Sequence, residues 1–221
     1  MRRGTGRRTQ RAGRAWPLLV AALVAVRPAS AQETRLDDRL PPTVAARVSA
    51  LVDSARAAGL PAEPLVQKAL EGQAKGAPGY LIEAAARSLL HRLGVARAAL
   101  AGRPSNDPQD AAELVVAADL LEYGASATAL RALAGRRSSG SLGGPLVGFL
   151  FLLQRGVEEP EAVRLVSAML DAGLPASAYA ELQRLVDGDI QHGISPRGAA
   201  AARASALVRH GARLQGGGGA R

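Results

Sequence analysis

The chain has 221 residues, 28 of them basic and 19 acidic, for a formal net charge of +9. It contains no cysteine, which excludes disulfides and thiol chemistry and leaves packing alone to hold the fold. Aromatic residues make up only 3% of it, too few for the stacking platforms that single-stranded nucleic acids require.

Most of the positive charge sits at the start. Arg2, Arg3, Arg7, Arg8, Arg11 and Arg14 open the chain without an acid, and the apolar run Trp16 to Val26 follows. The run leads to Pro28-Ala29-Ser30-Ala31. A basic start, a short apolar middle and an A-x-A end have the form of a secretory signal peptide over 1–31, cut after Ala31. The competing reading is a retained membrane anchor, but the apolar run is short for a spanning helix, which needs about 20 residues. Removing 1–31 takes away seven arginines and leaves 21 basic and 19 acidic residues, a net +2. The nucleic-acid reading then loses its main support. The expected location is the periplasm or the extracellular space of a bacterium. The source is inferred from abundant alanine and from arginine in place of lysine, a bias typical of GC-rich bacterial genomes.

Residues 32–42 (QETRLDDRLPP) read as a mobile polar leader, and residues 43–211 as a single all-helical domain. A helix-like run ends at Ala58-Gly59-Leu60-Pro61-Ala62, and the same five residues recur at Ala172–Ala176. Gly76-Ala77-Pro78, Gly124-Ala125-Ser126, Gly156-Val157-Glu158 and Gly193-Ile194-Ser195 share the pattern: glycine, a small or apolar residue, then a helix starter. A glycine just past a helix end adopts the left-handed conformation without a Cβ penalty. The apolar residue after it folds back on the finished helix, and Pro, Ser or an acid opens the next. Gly59 and Gly76 are 17 residues apart, as are Gly156 and Gly173. That step allows a helix of about 12–14 residues and a short connection.

Between the turns the apolar residues keep helical spacing. Leu81/Ile82, Ala85/Ala86, Leu89/Leu90 and Leu93 form one stripe in a helix over 79–101, which either runs through Gly94 or breaks there. A loop over 102–108 ends in Asp107-Pro108, read as N-cap and first helical residue, with Asp110 in the first turn. Leu114/Val115, Ala118 and Leu121 continue the pattern. Residues 135–145 (GRRSSGSLGGP) read as a flexible connector. Their alternative role is to hold an anion between Arg136, Arg137 and backbone N–H groups. Pro145 to Leu153 contains both Phe residues and reads as the central buried helix, or else as an apolar groove for a ligand. Val163, Val166 and Met169/Leu170, then Tyr179, Leu182 and Val186, give two more stripes. Ser195-Pro196 opens a last helix, and residues 212–221 read as a disordered Gly-rich tail.

The expected fold is therefore all-α: short antiparallel helices joined by Gly turns, either an irregular α-solenoid-like stack or a compact helical array. Two glycine steps make about 34 residues, the length of a helix-turn-helix repeat. Since any antiparallel helix pair can use a glycine turn, spacing alone does not separate true repeats from convergence.

No catalytic constellation is visible. His91, His192 and His210 stand apart and without ligand spacing, so no metal or other cofactor is expected. Each is read as lying near a helix end. There is no G-x-S-x-G and no G-x-G-x-x-G. Glu158, Glu159 and Glu161 cluster where a helix start favours acids. After Asp189 come Arg197, Arg203, Arg209, Arg213 and Arg221 and no acid. The expected interaction surface is Arg136, Arg137, Arg197, Arg203 and Arg209, facing another envelope protein or an anionic surface. The expected function is an exported, non-catalytic interaction scaffold, neither nucleic-acid binding nor membrane-spanning in its mature form. The alternatives are a small periplasmic hydrolase with a carboxylate site and a carrier of an apolar ligand or lipid.

Overall fold

The computed structural model describes residues 35–100, 108–136 and 140–216. The proposed signal segment, Arg137 and Asp107 lie outside them. Among the described residues the chain forms nine helices and no strand. They are α1 (Pro42–Ala57), α2 (Glu63–Ala74), α3 (Gly79–Ala99), α4 (Pro108–Glu122), α5 (Ala127–Ala134), α6 (Gly143–Gln154), α7 (Glu159–Asp171), α8 (Ala176–Gln191) and α9 (Pro196–Gly216). None is long and apolar enough to cross a membrane.

All six turn glycines terminate helices by one mechanism. Gly59, Gly76, Gly124, Gly156, Gly173 and Gly193 have φ of 66°, 69°, 91°, 81°, 65° and 86°. At Gly59 the glycine N–H donates to Arg56 O and the Leu60 N–H donates to Ala55 O. The same pair of bonds recurs at the other five, for example Gly173 to Leu170 and Leu174 to Met169. This is the Schellman motif, which satisfies carbonyls that the helix end would otherwise leave without donors. The residue after each glycine then packs inward: Leu60, Ala125, Val157 and Leu174 are buried. Ala77 is half-buried against the core, and Ile194 is 46% exposed.

The helix starts also follow local chemistry. Ser126 Oγ accepts from Ala129 N at 3.0 Å, and Ser195 Oγ accepts from Gly198 N at 3.2 Å. Pro108 and Pro196 each open a helix, where the missing N–H costs nothing. Helix α3 runs through Gly94 without a break.

Every substantial helix contact is between elements one or two apart in chain order. Helices α1, α3, α5, α7 and α9 form one row, and α4, α6 and α8 form a second beside it. Within the first row, α1 and α3 run parallel and in register, as do α5 and α7. Arg47 near the start of α1 reaches Glu83 near the start of α3 at 2.9 Å, and Arg97 near the end of α3 reaches the carbonyl of Ala58 at the end of α1. Ser126 before α5 donates to Glu159 at the start of α7 at 2.7 Å, while Arg136 after α5 meets Asp171 at the end of α7 at 2.6 Å. The fold is all-α, the compact helical array of the two expected arrangements.

One continuous core runs between the rows. Ile82, Ala86, Leu89, Leu93, Ala96 and Ala99 carry α3 into it, and Tyr179, Leu182 and Val186 carry α8. Where the stripe offered two adjacent residues, one went inside: Ile82 is buried and Leu81 is 48% exposed. Helix α6 is the most buried element, with Leu146, Phe149, Phe151 and Leu152 inside. It approaches α8 closely because Gly144 and Gly148 leave room. A Cβ on Gly148 would stand 3.0 Å from Tyr179 Cδ1, and one on Gly144 3.0 Å from Ala176 Cα.

The ends depart from the sequence-based boundaries. Residues 35–40, expected within a mobile leader, form a helical turn whose Leu36 and Leu40 are buried against the core. Their spacing of four puts both on one face, a signal too short to stand out in a polar stretch. Helix α9 continues through Gly216, past the expected boundary at 211.

Candidate functional site

The connector over 135–145 was one candidate anion site, and it already holds an anion of the protein's own. Glu113 of α4 is buried, and its Oε1 accepts from Ser141 Oγ at 2.6 Å, from Gly143 N at 3.1 Å and from Leu142 N. The carboxylate lies where the positive end of α6 favours negative charge, so α4 caps α6 from another element. Arg136, proposed for binding, is engaged by Asp171. Sequence reading missed Glu113 because a glutamate inside an amphipathic helix looks like any solvated acid. Nothing local marks it as facing a loop 28 residues on.

The apolar-ligand reading placed a cavity at Phe149 and Phe151. Phe149 is fully buried in the core, and the Arg155 guanidinium lies 5.1 Å from the centre of the Phe151 ring. These side chains are occupied by the protein's own packing.

The hydrolase reading needs converging carboxylates. One such pair is on α4, where Asp119 and Glu122 are three residues apart and share a face. Burial pushes the Asp119 carboxyl up, with the charge of Glu122 adding to it and Arg92 opposing. Glu122 pairs with Arg92 at 2.9 Å. The Arg92 Nε is buried without a hydrogen-bond partner. One protonation-prone and one charge-paired carboxylate is the asymmetry acid–base chemistry uses. Two cavities among the described residues lie elsewhere, however. One, of about 410 Å³, is lined by Arg35, Asp38, Arg39, Leu70, Gln73 and Ala74. Among the described residues no cluster of three His, Asp or Glu side chains could hold a metal ion.

The second cavity contains part of the expected interaction surface. It is a groove of about 440 Å³ between α8 and α9, lined by Leu185, Ala206, Leu207, Arg209, His210 and Arg213. Arg209 and Arg213 are one helical turn apart and project from the same side of α9. Leu185 and Leu207 are half-buried beneath them. The acids of α8 are engaged elsewhere: Glu181 with Arg184 at 2.5 Å, Asp187 with Arg155 at 2.7 Å and Asp189 with Arg203 at 2.6 Å. Among the described residues, Arg209 and Arg213 form no ion pair.

The expected surface is therefore split. Arg203 is a structural clamp: its guanidinium makes two bonds to Asp189, which is 8% exposed, and holds that carboxyl below its usual range. Arg197 is exposed at the opposite end of α9 from the groove. Of the four described arginines of that surface, Arg209 lines the groove, joined there by Arg213 and His210. The histidines also sort differently from expectation. His192 closes α8, its Nδ1 2.7 Å from Gly188 O, as a helix-end residue should. His91 and His210 lie within α3 and α9, away from the helix ends, and both are exposed. Comparison of the chain with protein-family models, with curated proteins and with solved structures finds no match.

Proposed function

We propose that the chain is an exported, non-catalytic interaction scaffold of the bacterial cell envelope, which binds an envelope protein or an anionic surface. One observation carries the reading. The helices spend their apolar stripes on each other in a continuous core, and the array ends in a groove whose two arginines have no counter-charge among the described residues. Stacked helix pairs are generally used as extended binding surfaces, so the step from array to binding is an analogy at the level of fold. Export rests on the basic, apolar and A-x-A pattern of residues 1–31.

The test is to express the full chain in a bacterium, sequence its N-terminus and crosslink the living cells. A mature start at Gln32 and a discrete, reproducible crosslinked partner in the envelope fraction are expected. An intact Met1 start with the protein in the cytosol, or no partner above a non-crosslinked control, defeats the reading.

A further inference from the structure

We propose that the groove between α8 and α9 binds a small anionic amphiphile, an organic carboxylate or phosphate whose head meets Arg209 and Arg213 and whose apolar tail lies on Leu185 and Leu207. This rests on the reading of that groove as a binding face of the chain and names the chemistry it accepts.

The charge of the groove defines the head. Arg209, His210 and Arg213 line it, and none of its lining residues is acidic. Glu181 and Asp189 stand one turn to either side of Leu185, on its face of α8. Each is already held by two hydrogen bonds from an arginine. Glu181 accepts from Arg184 at 2.9 and 2.5 Å, and Asp189 from Arg203 at 2.7 and 2.6 Å. The chain has no acid after Asp189, and the residues outside the described ones contain only Glu33 and Asp107. The protein therefore supplies little that could neutralise Arg209 and Arg213. Their Cβ atoms, four residues apart on one helix, are about 5–6 Å from each other. Two guanidinium forks at that spacing can converge on one oxyanion, and each matches a carboxylate or phosphate in two-pronged geometry.

The floor defines the tail. A bare oxyanion uses only the cationic side of the groove and leaves the apolar side wet. Leu185, Ala206 and Leu207 are half-buried there, so each keeps apolar surface that a hydrocarbon tail would remove from water. Each CH2 that the floor takes up tightens binding by about two- to fourfold. The volume of about 440 Å³ falls among pockets that take small organic molecules, about 300–1,000 Å³. A nucleic acid is disfavoured because no aromatic side chain lines the groove for a base to stack on. A cationic amphiphile is disfavoured by the two arginines.

The histidines give a local readout, since His210 lines the groove while His91 lies on α3 and His192 closes α8. Protein purified after expression of the full chain is titrated at constant pH, and the imidazole proton signals are followed by NMR, with that of His210 assigned from H210Q. The ligands are octanoate, decanoate, octyl phosphate, inorganic phosphate and octyltrimethylammonium, all below micelle-forming concentration. Octanoate and octyl phosphate are expected to shift His210 and to leave His91 and His192 in place, and the tighter of the two identifies the head. Decanoate is expected to bind about four- to sixteenfold tighter than octanoate. R209Q/R213Q is expected to weaken binding about tenfold or more, L207S to flatten the dependence on tail length, and R87Q, outside the groove, to change nothing. Thermal melts confirm that each variant folds. The proposal is overturned by inorganic phosphate binding as tightly as octyl phosphate, which means an adventitious ion only, or by equal binding of octyltrimethylammonium. Shifts at all three histidines, indifference to R209Q/R213Q, or no saturation by any anionic amphiphile at about 5 mM overturn it as well. If these fail while cells still yield a crosslinked envelope partner, the groove chemistry falls and the scaffold reading stands. If amphiphiles bind and no partner is found, the reverse holds.

Discussion

A glycine can be placed at a helix end because the end needs φ > 0, or inside a helix where nothing needs it, and this chain contains both. Gly156 sits at φ 81° with nothing within 4 Å of where an alanine methyl would stand, so the strain of alanine there is backbone alone. Gly94 lies inside α3, also with nothing within 4 Å. Gly156→Ala is therefore expected to destabilise by about 1–2 kcal/mol. Gly94→Ala is expected to stabilise by about 0.5–1 kcal/mol. Urea melts of the two variants should move in opposite directions, and a shared direction would remove the turn assignment. Glu113 poses the converse case of a side chain whose importance is invisible locally. Glu113→Ala leaves two backbone N–H groups and the Ser141 hydroxyl without their common acceptor. Hydrogen bonds to a charged group contribute about 1.5–3 kcal/mol, so a loss of about 2–4 kcal/mol is expected, and Glu113→Gln, which keeps an acceptor, should lose less. Equal losses for the two variants would mean that packing rather than capping is at stake.

At the scale of elements, the stripes on α3, α7 and α8 were readable because their spacing repeats. The contact of α6 with α8 was not. Helix α6 is apolar nearly all round, so its sequence does not say which side meets which neighbour. Gly144 and Gly148 decide that: they are one turn apart and face Ala176 and Tyr179. Gly148→Ala places a methyl 3.0 Å from the Tyr179 ring, and Tyr179 is 1% exposed, with little room to give way. A loss of about 1–3 kcal/mol is expected in chemical denaturation, against a gain if the site were an ordinary exposed helix position. The same logic holds at Gly211, where an added Cβ would collide with Leu174.

For the whole molecule, the charge network sets the response to pH. Hydrogen bonds from Lys75, Arg47, Arg164, Arg184 and Arg203 hold Glu71, Glu83, Glu161, Glu181 and Asp189, respectively, below the ordinary carboxylate range. Such groups support the fold above their unfolded values near about 4, and the support is lost as pH falls through the depressed folded values. Asp119 has the opposite sign, because burial raises it. Its contribution is fully present below its unfolded value and is lost as pH rises through the raised folded one. Asp119→Asn is therefore expected to raise Tm at pH 7, with the gain shrinking as the pH approaches about 4. A gain that is the same at both pH values, measured by circular dichroism, would show that charge is not its origin.

By itself the sequence determined where the glycine-ended helices stop and which side of most helices is apolar. These depend on single residues and on spacing within one turn, and six glycines with one bonding pattern show how local that information is. The tertiary structure alone decided that a buried Glu113 would close the start of α6, that Arg203 and Arg136 would be taken by Asp189 and Asp171, and that Arg209 and Arg213 would remain. A charged side chain has the same local appearance whether its partner is water or a residue 35 positions away, and only the stacking of the rows brings such partners within reach.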